Sequence, residues 1–139
     1  MRGFVGLTGV LLLGAVGLAS PPQRLKAGDP WPGKWNITVT PGADSQNTAG
    51  VVKFEETLTF TISQMSVKTL ADKGFAAADY TEDVGAYSPA KFACTQKSDK
   101  EGKLEWSGFT TGQDLTGNLT WTKADGTVVH YDFTGNKAP

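Results

Sequence analysis

Residues 104–133 read "LEWSGFTTGQDLTGNLTWTKADGTVVHYDF". Two hairpins lie in this stretch, and each one fixes its own register. A two-residue type II′ turn wants Gly first, which places the first turn at Gly112-Gln113. That turn pairs Leu104 with Trp121, Trp106 with Leu119, and Gly108 with Gly117. All six fall on one face, so turn chemistry and apolar alternation agree. The second hairpin is decided by the same test. A two-residue Asp125-Gly126 turn would set His130 opposite Trp121 and Asp132 opposite Leu119, mixing polar with apolar. A loop of Ala124, Asp125 and a left-handed Gly126 shifts the register by one. Trp121 then faces Val129, Leu119 faces Tyr131, Gly117 faces Phe133, and His130 and Asp132 point outward.

Working upstream, "AKFACTQKSDKEGKLEW" (90–106) closes a looser loop around Ser98–Gly102. Its parity pairs Phe92 with Gly108, Cys94 with Trp106, and Gln96 with Leu104. Three rows therefore cross four adjacent strands: Phe92–Gly108–Gly117–Phe133, Cys94–Trp106–Leu119–Tyr131, and Gln96–Leu104–Trp121–Val129. This is an antiparallel meander with one buried face.

The first half of the chain is less explicit. Trp35, Ile37 and Val39 alternate with Asn36, Thr38 and Thr40, a half-buried strand. "PGADSQNTAG" (41–50) is a polar loop. In "VVKFEETLTFTIS" (51–63), Phe54, Leu58, Phe60 and Ile62 share a parity with Glu56. A buried unpaired carboxylate is costly, so a bulge or strand end is expected to turn Glu56 outward. Residues 65–74 fit either a helical turn capped by Ser66 and stopped by Gly74 or a short strand. "FAAADY" (75–80) reads as a strand and 81–89 as a loop. The expected fold is all-β: seven or eight antiparallel strands in an up-and-down meander that closes into a small barrel, with a sandwich as the alternative.

The chain has 139 residues, and its N-terminus, "MRGFVGLTGVLLLGAVGLAS", has one Arg followed by an apolar run and small residues. It reads as a signal-peptide helix over 1–19, cut after Ala19, with a retained anchor as the rival. An extended lead-in follows over 20–32, then a single barrel domain over 33–136. No second apolar stretch follows, so no stable membrane span is expected after cleavage, and the location is secreted or periplasmic. With 13 basic and 14 acidic residues, none of the basic ones clustered, nucleic acid is not a partner. Cys94 is the only cysteine, so no internal disulfide forms and the core carries the stability.

Catalysis has little to stand on. His130, the one histidine, shares an outer face with Asp132 but has no placed nucleophile, and reads as a surface polar pair. No ligand cluster for a metal and no phosphate loop is present, so no catalytic residue, metal or cofactor is expected. Cys94 reads as a buried structural thiol. Asn36-Ile37-Thr38 and Asn118-Leu119-Thr120 match glycosylation sequons on outward strand positions and are taken as chance.

The inner aromatic face holds the binding candidates. Phe92, Trp106, Trp121, Tyr131 and Phe133 either fill the core or line a cavity. The inward pair Gly108 and Gly117 leaves space. Either Phe92 and Phe133 lean over the glycines at a barrel bend, or a ligand sits there.

A Gly-x-Trp at the start of the first strand (Gly33-Lys34-Trp35), a long first loop and an antiparallel meander together resemble the calycin group, and small secreted bacterial lipocalin-like barrels most of all. The resemblance implies that Trp35 plugs one end of the barrel, that 41–50 overhangs the open end, and that a small apolar molecule binds inside. The group's late Arg, which stacks on the plug, has no counterpart here, since Arg24 is the only Arg beyond Arg2. The functional expectation is an exported non-enzymatic barrel with a small apolar or amphipathic ligand. The alternative is a protein-interaction module, a protease inhibitor or envelope accessory protein, with a filled core and working loops.

Overall fold

The computed structural model describes residues 29–84 and 89–139. The expected signal segment, most of the lead-in and residues 85–88 of the expected loop lie outside the described residues. Eight strands follow in chain order: β1 (Gly33–Pro41), β2 (Phe54–Phe60), β3 (Gln64–Val67), β4 (Ala78–Asp83), β5 (Ala90–Ser98), β6 (Gly102–Thr110), β7 (Asp114–Thr122) and β8 (Val128–Lys137). Each is antiparallel to its sequence neighbour, and β1 also pairs with β8, so the sheet closes into a barrel. Closure rules out the sandwich.

The three expected rows across β5–β8 are present, residue for residue. The alternation that predicted them persists as burial, with inward apolar residues and outward Thr, Asn, Ser and charged residues. In the last hairpin, Lys123 N–H donates to the Thr127 carbonyl at 2.7 Å, enclosing Ala124–Gly126. Gly126 takes φ 92°, a backbone shape that residues with a Cβ adopt at a cost. At the closing seam Ile37 pairs with Gly135, where a Cβ would collide with the backbone of Asn36 and Ile37. Only glycine lets β8 come that close to β1.

Residues 65–74 hold most of β3 and then a 3-10 turn (Leu70–Lys73) stopped by a left-handed Gly74, but Ser66 lies within β3 and does not cap the turn, which starts at Thr69 without a side-chain cap. The strand expected over 75–80 begins three residues later, at Ala78, and runs on to Asp83 through part of the expected loop. Phe75 is buried all the same, 1% exposed, because it caps the barrel from outside the sheet. Ile62 lies past the end of β2 and is 41% exposed.

Glu56 requires a correction. It faces inward in an unbroken register, Ile37 pairing with Glu56 and Val39 with Phe54, and no bulge intervenes. Its burial is compensated by the backbone. Oε1 accepts the N–H groups of Thr57 (2.8 Å), Lys68 (2.9 Å) and Thr69 (2.7 Å), and Oε2 that of Leu70 (2.9 Å). A carboxylate that accepts this many charge-assisted bonds is stable without water. It ties β2 to the chain entering the 3-10 turn.

The strand order gives the barrel two ends. One carries the lead-in and the β2–β3, β4–β5 and β6–β7 connections. The other carries the loop 42–53, the segment 68–77, and the β5–β6 and β7–β8 turns.

Candidate functional site

The apolar binding candidates Phe92, Trp106, Trp121, Tyr131 and Phe133 are buried, and so is Trp35. The fold brings them together as packed rings. Trp106 and Phe133 meet edge to face with centroids 5.6 Å apart, and Tyr131 meets Phe54 the same way at 5.7 Å. A Cβ on Gly108 would lie 2.9 Å from Phe92 Cε1 and 3.2 Å from Phe133 Cζ. One on Gly117 would lie 2.5 Å from Phe133 Cζ. The two phenyl rings thus occupy the space the glycines leave.

The indole N–H groups of Trp106 and Trp121 are matched. Trp106 Nε1–H donates to Gln96 Oε1 (2.9 Å), and Gln96 Nε2–H donates to the Ala76 carbonyl (2.8 Å). Gln96, only 1% exposed, therefore fastens both a core indole and the segment that crosses the barrel end. Trp121 Nε1–H donates to the Glu101 carbonyl (2.8 Å), its ring meets Phe75 at 5.7 Å, and Lys123 Nζ sits 4.0 Å from its centroid. Burial holds the Tyr131 phenol above its ordinary range. Burial, then the charge of Asp79, pushes the Cys94 thiol up to about 11.

At the end that carries the lead-in, Trp35 is joined by a second indole. Trp35 donates Nε1–H to the Trp31 carbonyl at 3.1 Å. Trp31 is fully buried and packs against Trp35, Phe60 and Phe92 at 5.6, 5.3 and 4.9 Å. Its own Nε1–H has no acceptor among the described residues. Lys137, at the end of β8, places Nζ 5.4 Å from the Trp35 ring and donates to the Pro30 carbonyl at 2.6 Å. A cation from the end of β8 therefore sits beside Trp35. The first Trp of "WPGKW", Trp31, was the available sign that the lead-in belongs to the core.

At the opposite end the loop 42–53 folds as successive turns, with Ser45 N–H on the Gly42 carbonyl, Thr48 N–H on Ser45 and Val51 N–H on Thr48. It docks on β8 through His130. Gly42 N–H donates to the His130 carbonyl (2.8 Å), and His130 N–H donates to Ser45 Oγ (2.9 Å). The His130 ring faces Asp44, with Nε2 to Oδ2 at 3.9 Å, rather than pairing with Asp132. Ser45 Oγ is engaged by a main-chain amide, so it is not set up as a nucleophile for the imidazole. Two hollows flank this end. One of about 170 Å³ lies between Thr48, Ala49, Val51 and the β7–β8 turn; an open groove of about 540 Å³ lies between Asp72–Gly74 and Ser98–Glu101. The exposed Val52 and Val128 belong to the same end, at 67% and 49%.

Among the described residues no group of three or more His, Cys, Asp or Glu is placed to hold a metal. No family model, no curated protein and no solved structure matches the chain.

Proposed function

We propose that the chain is an exported, non-enzymatic, lipocalin-like barrel that works as a protein-interaction module through the loops of its open end. The observation that carries this reading is the occupied interior. Phe92 and Phe133 fill the recess beside Gly108 and Gly117, and the Phe75 segment caps Trp121. With the inner face used as core, the surface left for a partner at this end is the rim: 42–53, 70–77, 99–101 and 123–127. The rim carries exposed Val52 and Val128 beside polar hollows, a composition suited to a protein contact. The lipocalin-like part of the reading rests on Gly33-x-Trp35, the plug it forms, and the Lys137 cation over it.

Photo-crosslinking in the producing cells tests the proposal. Crosslinkers at Val52 and Val128 should give one discrete adduct, while crosslinkers at Asn36 and Thr134, on the barrel wall, should give none. Equal labelling from wall and rim, or none from the rim, would overturn it.

A second reading has one observation in its favour. The buried Trp31 Nε1–H lacks an acceptor among the described residues, and an amphipathic ligand reaching this end of the barrel would supply one. Mass spectrometry of organic extracts from the purified protein tests this; a stoichiometric small molecule supports it, and a clean extract counts against it.

A further inference from the structure

We propose that the rim docks a second copy of this chain: Val52 of each protomer enters the hollow between the 48–51 turn and the β7–β8 turn of the other, and Lys53 beside it meets Asp125. This rests on the rim as the working surface and names what docks there. The hollow measures about 170 Å³. Sites for drug-sized ligands run from about 300 to 1,000 Å³, whereas an apolar cavity of about 150 Å³ holds one benzene ring. Its size therefore suits a single side chain. Buried Val129 and half-buried Val51 give it apolar walls, and Asp125 stands on the turn side. Lys123 lines the same side, but its Nζ is held 4.0 Å from the centroid of the Trp121 ring. Asp125 is fixed in place: Oδ1 accepts the Thr127 N–H at 2.9 Å, and that bond holds its carboxyl below the ordinary range. The mouth of the hollow therefore carries an anion at neutral pH.

The chemistry that fits this hollow lies next to it in the same loop. Val52 directly follows Val51 and is 67% exposed, so it does not fill its own hollow. Lys53 is exposed too, and makes no ion pair among the described residues. An aliphatic side chain followed by a cation thus adjoins an apolar hollow with an anion at its mouth, and the patch is complementary to itself. A knob and hollow on one patch close into a pair about a twofold axis, whereas a knob far from its hollow would string copies into filaments. Val128, exposed beside Val129, would be covered in the same pair. Two loops make a patch smaller than a standard interface, and its charges face water, so the pair is weak and salt-sensitive.

The test is sedimentation equilibrium at low salt of the protein purified from the producing cells, loaded from about 10 μM to about 1 mM, a span that covers weak association. The mass should rise from one chain toward two. Lys53→Glu and Asp125→Lys each set like charges against one another at both symmetric contacts, and each should weaken pairing roughly ten-fold. Mixed one to one, the two variants should pair again, because each contact then joins opposite charges; a misfolded variant would not recover this way. Ala49→Trp, which fills the hollow, should abolish pairing. A mass of one chain at every loading, or a mixture no heavier than either variant alone, would overturn the second copy as the occupant. Rim crosslinks to a different protein, with a mass of one chain, remove the second copy and keep the rim reading. Recovery in the charge-swapped mixture, without rim adducts in the producing cells, keeps the contact and removes the rim as the working surface.

Discussion

The ring of Phe133 stands beside the place a side chain on Gly117 would take: a Cβ there would collide first with the Ser107 carbonyl oxygen, then meet Phe133 Cζ at 2.5 Å and Gly108 Cα at 2.7 Å. The aromatic and the two glycines are one packing unit, in which a missing side chain on two strands makes room for a ring from a third. Gly117→Ala should therefore cost about 1–3 kcal/mol, the usual range for overpacking. Gly108→Ala should cost less, because its closest neighbour is the edge of the Phe92 ring, which can tilt. Urea midpoints of the two variants should fall in that order.

The bonds at Glu56 define a second test. Glu56→Gln sets an amide N–H₂ against backbone donors in a buried site, which should cost about 1–3 kcal/mol. The damage should be local as well as global. Amide exchange at Thr69 and Leu70 should speed up well before that of β6 and β7.

Which parts of this structure were legible is a matter of range. The β5–β8 registers follow from short turns that place each residue against a partner chosen by parity, so the row Phe92–Gly108–Gly117–Phe133 could be written from the sequence. Glu56 could not, because its partners are backbone N–H groups at 68–70, and main-chain donors leave no residue signature. Phe75 and Trp31 are core residues off the strands, so period-two counting passes over them. Lys137 meets Trp35 only because the barrel closes, which brings the two ends of the domain side by side. The rim contacts of Ser45 and Asp44 are equally non-local: Ser45 bonds a residue 85 positions away.

Lys137 is expected to secure the plug. Lys137→Ala removes both its bond to the Pro30 carbonyl and its cation over Trp35. A loss of about 1–2 kcal/mol is expected. Tryptophan emission should move to longer wavelength as Trp31 loosens, and Lys137→Arg should restore most of both.

Cys94 should make the fold sensitive to alkali. A thiol in the unfolded chain ionises near pH ~8.5. In the fold, burial and then Asp79 push it up to about 11. The folded state therefore keeps its proton longer, so stability falls as pH rises through that interval. Denaturant titrations should show a steeper loss between pH 8.5 and 11 in the natural chain than in Cys94→Ala. At pH 8 the native thiol should react with a small aromatic disulfide only as fast as the chain opens.

The central claim is that the barrel's interior is core and that its loops do the work. The most direct measurement is a titration of the full chain with a graded set of apolar probes, from naphthalene sulfonates to long-chain fatty acids, followed by emission from the buried tryptophans Trp31, Trp35, Trp106 and Trp121. The packed Phe92–Phe133 layer predicts no saturable change with any probe. A saturable one-to-one response to any probe, with the fold intact by circular dichroism, would contradict it.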